Sequence, residues 1–455
     1  MSEGNCARHL RLRPAVFVAT GADGQVALLR GAGWGEHIGV LSAGQRELLG
    51  ELAADEHPEA ALLDRFGPGT AALLDRLRAG GWLTARLSFR NRSLITVRPL
   101  GPHLEPRAAP LRAPRLSRFA LMRRAGDELV LESPRCRASV EIHDLDVLTV
   151  LHRMAGSAEP CVPAGLTAGV VAELVGELAW YGFVRDAEED MRADLTTEQW
   201  SPHELWFHAR SRAGYHDEPF GLTRWADGRH APLPARRAPW AVEAALPLPV
   251  PDGAERAGMP FAAVLEARRS VREPDDEHPL TVAQLGEFLH QAAGVRRVLR
   301  DDRNEVSLRP SPSGGALHGL EIYPVVTQVT GLASGMYHYD PFGHRLEPVP
   351  AAEPAVRQLV WRAAEAAGGG RSPHVLLVCT ARFGRVMWKY QSMAYALILK
   401  DLGALLQTMY LVATAMNLAP CAIGTGDSDL FAQATALNPL EEASVGEFML
   451  SSRTT

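Results

Sequence analysis

Three short runs in this 455-residue chain bring together residue types that can do chemistry. In Arg268-Arg269-Ser270-Val271-Arg272, an extended backbone puts Arg268, Ser270 and Arg272 on one side, so two guanidinium groups and a hydroxyl face one anion such as a phosphate. The same run would also serve as a solvated basic surface. In Pro312-Ser313-Gly314-Gly315 a stiff proline entry precedes two glycines, which let backbone N–H groups approach a planar ring; a plain Pro/Gly turn is the other use of that pattern. Lys389-Tyr390 sets an amine beside a phenol, both usable as general acids or bases. If they open a helix, the macrodipole disfavours a cation at Lys389 and so favours the neutral amine a base requires; a solvated lysine at a helix edge is the bland alternative. Arg453, near the chain end, is a candidate for a late phosphate contact or simply a tail residue.

Other chemistries have no support. The five cysteines show no C-x-x-C spacing, and His203 and His208 stand five apart rather than on one helix face, so no metal site is expected. Neither G-x-G-x-x-G nor G-x-x-x-x-G-K-[ST] occurs, which excludes a Rossmann or P-loop nucleotide motif.

From residue 258 the elements that must position these groups alternate helix and strand in an α+β pattern. The pattern predicts a helix over 261–268, a strand over 320–326, a hairpin about Asp340-Pro341-Phe342-Gly343 and a strand over 374–379. A long helix then runs from Trp388-Lys389-Tyr390 to Met416. Apolar residues cover more than one face of that helix, as in a core or subunit interface. Upstream, Leu73-Leu74, Leu77 and Gly81-Trp82-Leu83 superimpose on Leu174-Val175, Leu178 and Gly182-Phe183-Val184 at a shift of about 101 positions. This predicts two winged-helix-like units, residues 1–101 and 115–190, around a Pro/Arg-rich linker over 102–114. A helical, Pro-rich connector over 191–245, with a helix launched by the capping box Ser201-Pro202-His203-Glu204, leads to a last domain over 246–455.

With 46% hydrophobic residues the chain can bury full cores, while a net charge of −6 argues against nucleic acid. The third helices of the repeated units agree: Asp75 offsets Arg76 and Arg78 in one, and Glu173 and Glu177 sit on the other. No apolar signal stretch opens the sequence, and Lys400-Asp401 interrupts the most apolar run, 394–416, so no membrane span is expected. Scattered cysteines fit a reducing cytoplasm.

In this order R-R-S-V-R, P-S-G-G-A-L-H, G-M-Y-H-Y-D, W-K-Y and D-L-G-A-L-L-Q make residues 245–455 resemble the SagB-type azoline dehydrogenases, a branch of the FMN-dependent nitroreductase superfamily. The resemblance implies a homodimeric α+β flavin fold, with FMN at the dimer interface and its phosphate on Arg268, Ser270 and Arg272. Pro312, Ser313, Gly314 and Gly315 would line the isoalloxazine ring, Gly424 the loop behind it, and Gln407 and Arg453 complete the cofactor-binding set. Lys389 and Tyr390 match the family's catalytic pair, which separates azoline oxidation from ordinary nitroreduction. The sequence departs from the family at Asn417-Leu418-Ala419 and at Ser451-Ser452-Arg453, where a glycine-arginine ending is usual. The paired N-terminal units resemble the peptide-recognition domains of ribosomal-peptide modifying enzymes. The implied reaction is oxidation of thiazolines or oxazolines in a precursor peptide to thiazoles or oxazoles, beside a cyclodehydratase of the same pathway. A general NAD(P)H-dependent nitro or quinone reductase, and a non-catalytic peptide-binding scaffold for the cyclodehydratase, are the competing expectations.

Overall fold

Val375-Leu376-Leu377-Val378-Cys379 shows no polar alternation, the pattern of a strand covered on both faces. In the computed structural model, which describes residues 6–30, 34–102, 111–156, 161–187, 194–214, 216, 218–249, 259–300 and 304–454, the strand Val375–Arg382 is buried at every position. It lies within a seven-stranded sheet whose order is Leu246–Pro247, Arg345–Pro348, Gly335–Asp340, Leu320–Val326, Val375–Arg382, Glu442–Ser451, Ala419–Ile423. Every neighbouring pair is antiparallel. Val375, Leu377 and Cys379 pack into one core with residues of the helices Val282–Ala293 and Ala394–Ala415. Leu376 and Val378 point the other way, into a second core with Glu353–Ala366 and Ser428–Thr435. Strand alternation thus builds a layer of helices on each face.

The chain divides into two units, residues 1–218 and 219–455. The boundary expected near 245 therefore lies inside the second unit. Leu246–Pro247 is the sheet's edge strand, where a proline's missing donor costs no ladder bond.

The first unit also has a seven-stranded antiparallel sheet, and it runs through both halves of the sequence repeat: Arg92–Pro99 of one half pairs with Ala138–Ile142 of the other, Val97 opposite Val140. The two expected units share a sheet rather than hanging on a linker, most of which lies outside the described residues. The repeat itself is visible in the helix ends. Trp82 N–H donates to Leu77 O at 2.8 Å and Phe183 N–H to Leu178 O at 2.9 Å. Gly81 and Gly182 supply the left-handed turn each cap requires, at φ +73° and +85°. Arg78, on the last turn of its helix, is not free to read a nucleic acid: with Arg8 it grips the buried Glu177 carboxylate at 2.5 and 3.1 Å.

Candidate active site

The glycine run folds into a tight turn, the plainer of the two uses of that pattern. Ser313 Oγ donates to Asp401 Oδ2 at 2.7 Å and accepts from His318 N–H at 3.0 Å, while Gly314 N–H donates to Asp401 Oδ1 at 3.0 Å. Asp401 belongs to the long helix Ala394–Ala415 and is buried; burial pushes its carboxyl up, opposed by the hydrogen bonds from Ser313 and Gly314. Gly315 has φ +62°, and a Cβ built on it would stand 2.9 Å from Tyr390 Oη and 3.2 Å from Lys389 Nζ. The amine and the phenol therefore converge on this glycine, with Nζ 5.7 Å from the Tyr390 ring centroid.

Lys389 and Tyr390 do not open the long helix. A short helix, Phe383–Met387, ends before them; Tyr390–Gln391 is a two-residue strand paired with Gly221–Leu222, and the long helix begins only at Ala394. Ser392, at φ +59°, breaks the helical path between them. The macrodipole rationale for Lys389 as a base falls with that geometry; its proximity to Tyr390 and Gly315 replaces it.

Around the turn the charge is positive and fixed. Arg385, 3% exposed, donates to three segments at once: Leu233 O at 2.6 Å, Glu305 O at 2.7 Å and Leu317 O at 2.7 Å. Burial, with Arg382 and Arg309 nearby, holds the Arg385 pKa down at about 10. Burial, Arg309 and Arg385 also hold His318 down at about 3, so its imidazole is neutral at physiological pH. Arg309, Pro312, Ser313, His318 and Asp401 line a small pocket beside the turn. Replacing Arg385 by Met is expected to lower stability by about 3 kcal/mol, because several buried carbonyls lose their donor at about 1–3 kcal/mol each. Chemical unfolding measures this, and an unshifted midpoint would show that water replaces the guanidinium.

The R-x-S-x-R run is extended and tied to the sheet by Val271 N–H to Pro420 O at 2.8 Å. Arg268 and Ser270 do share a side, and what they share is Tyr410. Ser270 Oγ lies 2.8 Å from Tyr410 Oη, which also accepts from Ala422 N–H at 2.8 Å, and the Arg268 guanidinium stands 5.3 Å from the ring centroid. Among the described residues no carboxylate pairs with Arg268 or Arg272. Arg272, Gln407 and Gly424 are exposed and Arg453 half-buried. No hydrogen bond or ion pair among the described residues joins those four to Tyr410 or to the glycine turn. Sequence reading missed Asp401, Tyr410 and Arg385; only Asp401 carried a signal, an acid inside an apolar run.

Residues 265–448 match the nitroreductase family and residues 114–217 the family described as cyanobactin oxidase ThcOx. The putative nitroreductase MJ1384 of Methanocaldococcus jannaschii is 31% identical over 161 residues, covering 35% of this chain and 76% of that protein. The microcin B17-processing protein McbC of Escherichia coli is 31% identical over 116 residues, 24% of this chain and 42% of its own. The trifolitoxin-processing protein TfxB of Rhizobium leguminosarum bv. trifolii is 27% identical over 142 residues, 30% of this chain and 38% of its own. The chain thus spans less than half the length of those two relatives. The class these observations define is an oxidoreductase. More particularly, the chain belongs to the nitroreductase family.

Proposed function

We propose that this protein is an FMN-dependent dehydrogenase that oxidises thiazoline or oxazoline rings of a ribosomally made precursor peptide to thiazoles or oxazoles. The observation that carries the reading is the convergence of Lys389 Nζ and Tyr390 Oη on Gly315, within a nitroreductase-family chain that also resembles two peptide-processing proteins. The residues present fit FMN. Among the described residues no carboxylate pairs with Arg268 or Arg272, and Arg268 shares Tyr410 with the Ser270 hydroxyl, a donor set that suits a phosphate. Pro312, Ser313, Gly314 and Gly315 offer a turn without side-chain bulk at Gly315 for a planar ring, and Asp401 holds that turn in place. Gly424, Gln407 and Arg453 remain proposed contacts.

Bound FMN supplies a two-electron acceptor. The protein's own work is to orient the ring and move one proton. Lys389 or Tyr390 removes the azoline Cα proton, which the adjacent imine and carbonyl acidify. Neutral His318 is a poor competitor for that role, and Asp401 is already engaged by Ser313 and Gly314. Mass spectrometry of a thiazoline peptide tests the reaction: each ring should lose two hydrogens. Steady NADPH use with a nitroaromatic and no such loss would speak for a general reductase.

A second copy of the chain fits the exposed apolar surface. Only 28% of the most apolar window of Ala394–Ala415 is buried within the chain, and Phe261 and Leu265 of the neighbouring helix are 67% and 48% exposed. A homodimer through these helices would cover both. The first unit, with its repeated cap geometry, is proposed as winged-helix-like and as the reader of the precursor peptide; the cyclodehydratase partner and a cytoplasmic location belong to the same proposal.

Arg268→Ala together with Arg272→Ala should weaken FMN binding by about 100-fold or more, since a charge-assisted hydrogen bond contributes roughly 1.5–3 kcal/mol. Titration of apoprotein into fluorescent FMN reads this. An unchanged dissociation constant would remove both arginines from the phosphate site.

A further inference from the structure

Residues 219–230 open a Pro-rich stretch that composition marks as a connector, yet they touch six consecutive residues around the reactive pair. Trp225 Nε1–H donates to Met387 O at 2.5 Å, and Trp388 Nε1–H to His230 O at 2.7 Å. Arg224 N–H donates to Lys389 O at 3.0 Å. Leu222 pairs with Tyr390 and Gly221 with Gln391 in a short antiparallel ladder. Thr223 Oγ1 donates to Gln391 Oε1 at 2.7 Å, and Ser392 Oγ to Pro219 O at 2.8 Å. By contrast, neither Lys389 Nζ nor Tyr390 Oη hydrogen-bonds to another described residue. The two reactive heads are placed by their backbone, and the backbone is placed by this strap.

The strap is also held under strain. Arg224 at φ +51° and Ser392 at φ +59° are left-handed non-glycine residues close to the paired stretch on either strand. Such conformations persist only where surrounding contacts over-determine them. A flexible linker would have relaxed.

We propose that 219–230 is a positioning element for the proton-transferring pair, with Thr223 and Trp225 of the strap and Ser392 opposite it as the positioning residues. The inference rests on the reading that Lys389 and Tyr390 act on substrate. Misplacement of a reacting group by about 1 Å can cost on the order of 100-fold in rate, so loosening the strap should show in turnover before it shows in folding. Thr223 and Trp225 are exposed, which keeps the substitutions mild.

The test is the full-length, FMN-loaded chain carrying Thr223→Val, Trp225→Phe and Ser392→Ala, assayed on a synthetic peptide with one thiazoline. The expected result is a kcat at least about 10-fold lower, with KM and flavin content within about twofold and the melting temperature nearly unchanged. Deuterium uptake should rise in the peptide spanning 388–393. Thr223→Val alone should show part of the loss and Thr223→Ser should restore it, which keeps the idea testable if the triple variant folds poorly. Unchanged kcat and uptake would overturn the positioning role. So would a parallel fall of kcat, flavin content and melting temperature, which would make the strap a mere strut. Lys389→Ala and Tyr390→Phe in the same assay separate the two ideas: full activity there sinks the functional reading, whereas loss there with an unaffected strap variant sinks only this inference.

Discussion

Lys389→Ala and Tyr390→Phe, each purified with FMN in place, are expected to aromatise a thiazoline peptide at least about 100-fold more slowly than the unaltered chain, the lower range of what a positioned acid–base group contributes. The size of the loss follows from the lack of a substitute. His318 is the nearest imidazole by sequence to the glycine turn, but burial and two arginines hold it at about 3, so at neutral pH it is an uncharged, weakly basic ring. Asp401 is buried under the turn and spends both carboxylate oxygens on Ser313 and Gly314. Glu321 is fully buried and bound by His338 at 3.1 Å. Because the two groups converge on one glycine, removing both should cost little more than removing the more important one. Rates measured by mass spectrometry at matched flavin content decide this. Wild-type rates in both variants would strip the pair of its role while leaving the nitroreductase fold untouched.

What was legible in the sequence was local. The strand Leu320–Val326 follows from a handful of adjacent residues and folds as expected, and of the three residues expected on one side of the R-x-S-x-R run, Arg268 and Ser270 share Tyr410. The long helix starts later than its periodicity predicts, at Ala394, for the opposite reason. Tyr390, Met393, Ala394 and Leu397 fit a helical period, but a ladder to Leu222, 168 positions away in sequence, captures Tyr390 instead, and no local pattern announces it. The Pro-rich composition of the connector over 191–245 marks it as a domain boundary. Yet the carbonyls of Leu233 and Pro234 within it accept from the buried Arg385 and Arg382 at 2.6 and 3.1 Å. Asp401 is visible in the sequence as a charge inside an apolar run, and a buried acid must have donors, which here are Ser313 and Gly314. The repeat was real at its helix caps, whereas the sheet joining its halves depends on a non-local pairing, Val97 with Val140.

Gly315→Ala should cost about 10- to 100-fold in kcat while leaving the fold standing, and the neighbouring residues say why. Ala316 and His318 already hold φ +54° and +44°, so this turn tolerates a Cβ on a left-handed backbone; the conformational cost at Gly315 should be only about 1 kcal/mol. The larger effect is steric. The new Cβ would sit 2.9 Å from Tyr390 Oη and 3.2 Å from Lys389 Nζ, inside contact distance for both. Each head is the free end of a flexible side chain, so both would swing away rather than unfold the turn. Movements of that size displace a general base from the proton it must reach, at a rate cost on the order of 100-fold per ångström. The mechanism makes a sharper demand than the rate alone. If Gly315→Ala acts by displacing the pair, its penalty should vanish in a Lys389→Ala, Tyr390→Phe background, where nothing is left to displace, giving a coupling energy nearly equal to the single-variant loss. If the penalties simply multiply, Gly315 serves the substrate or cofactor ring directly, and the convergence of amine and phenol above it is only a consequence of packing.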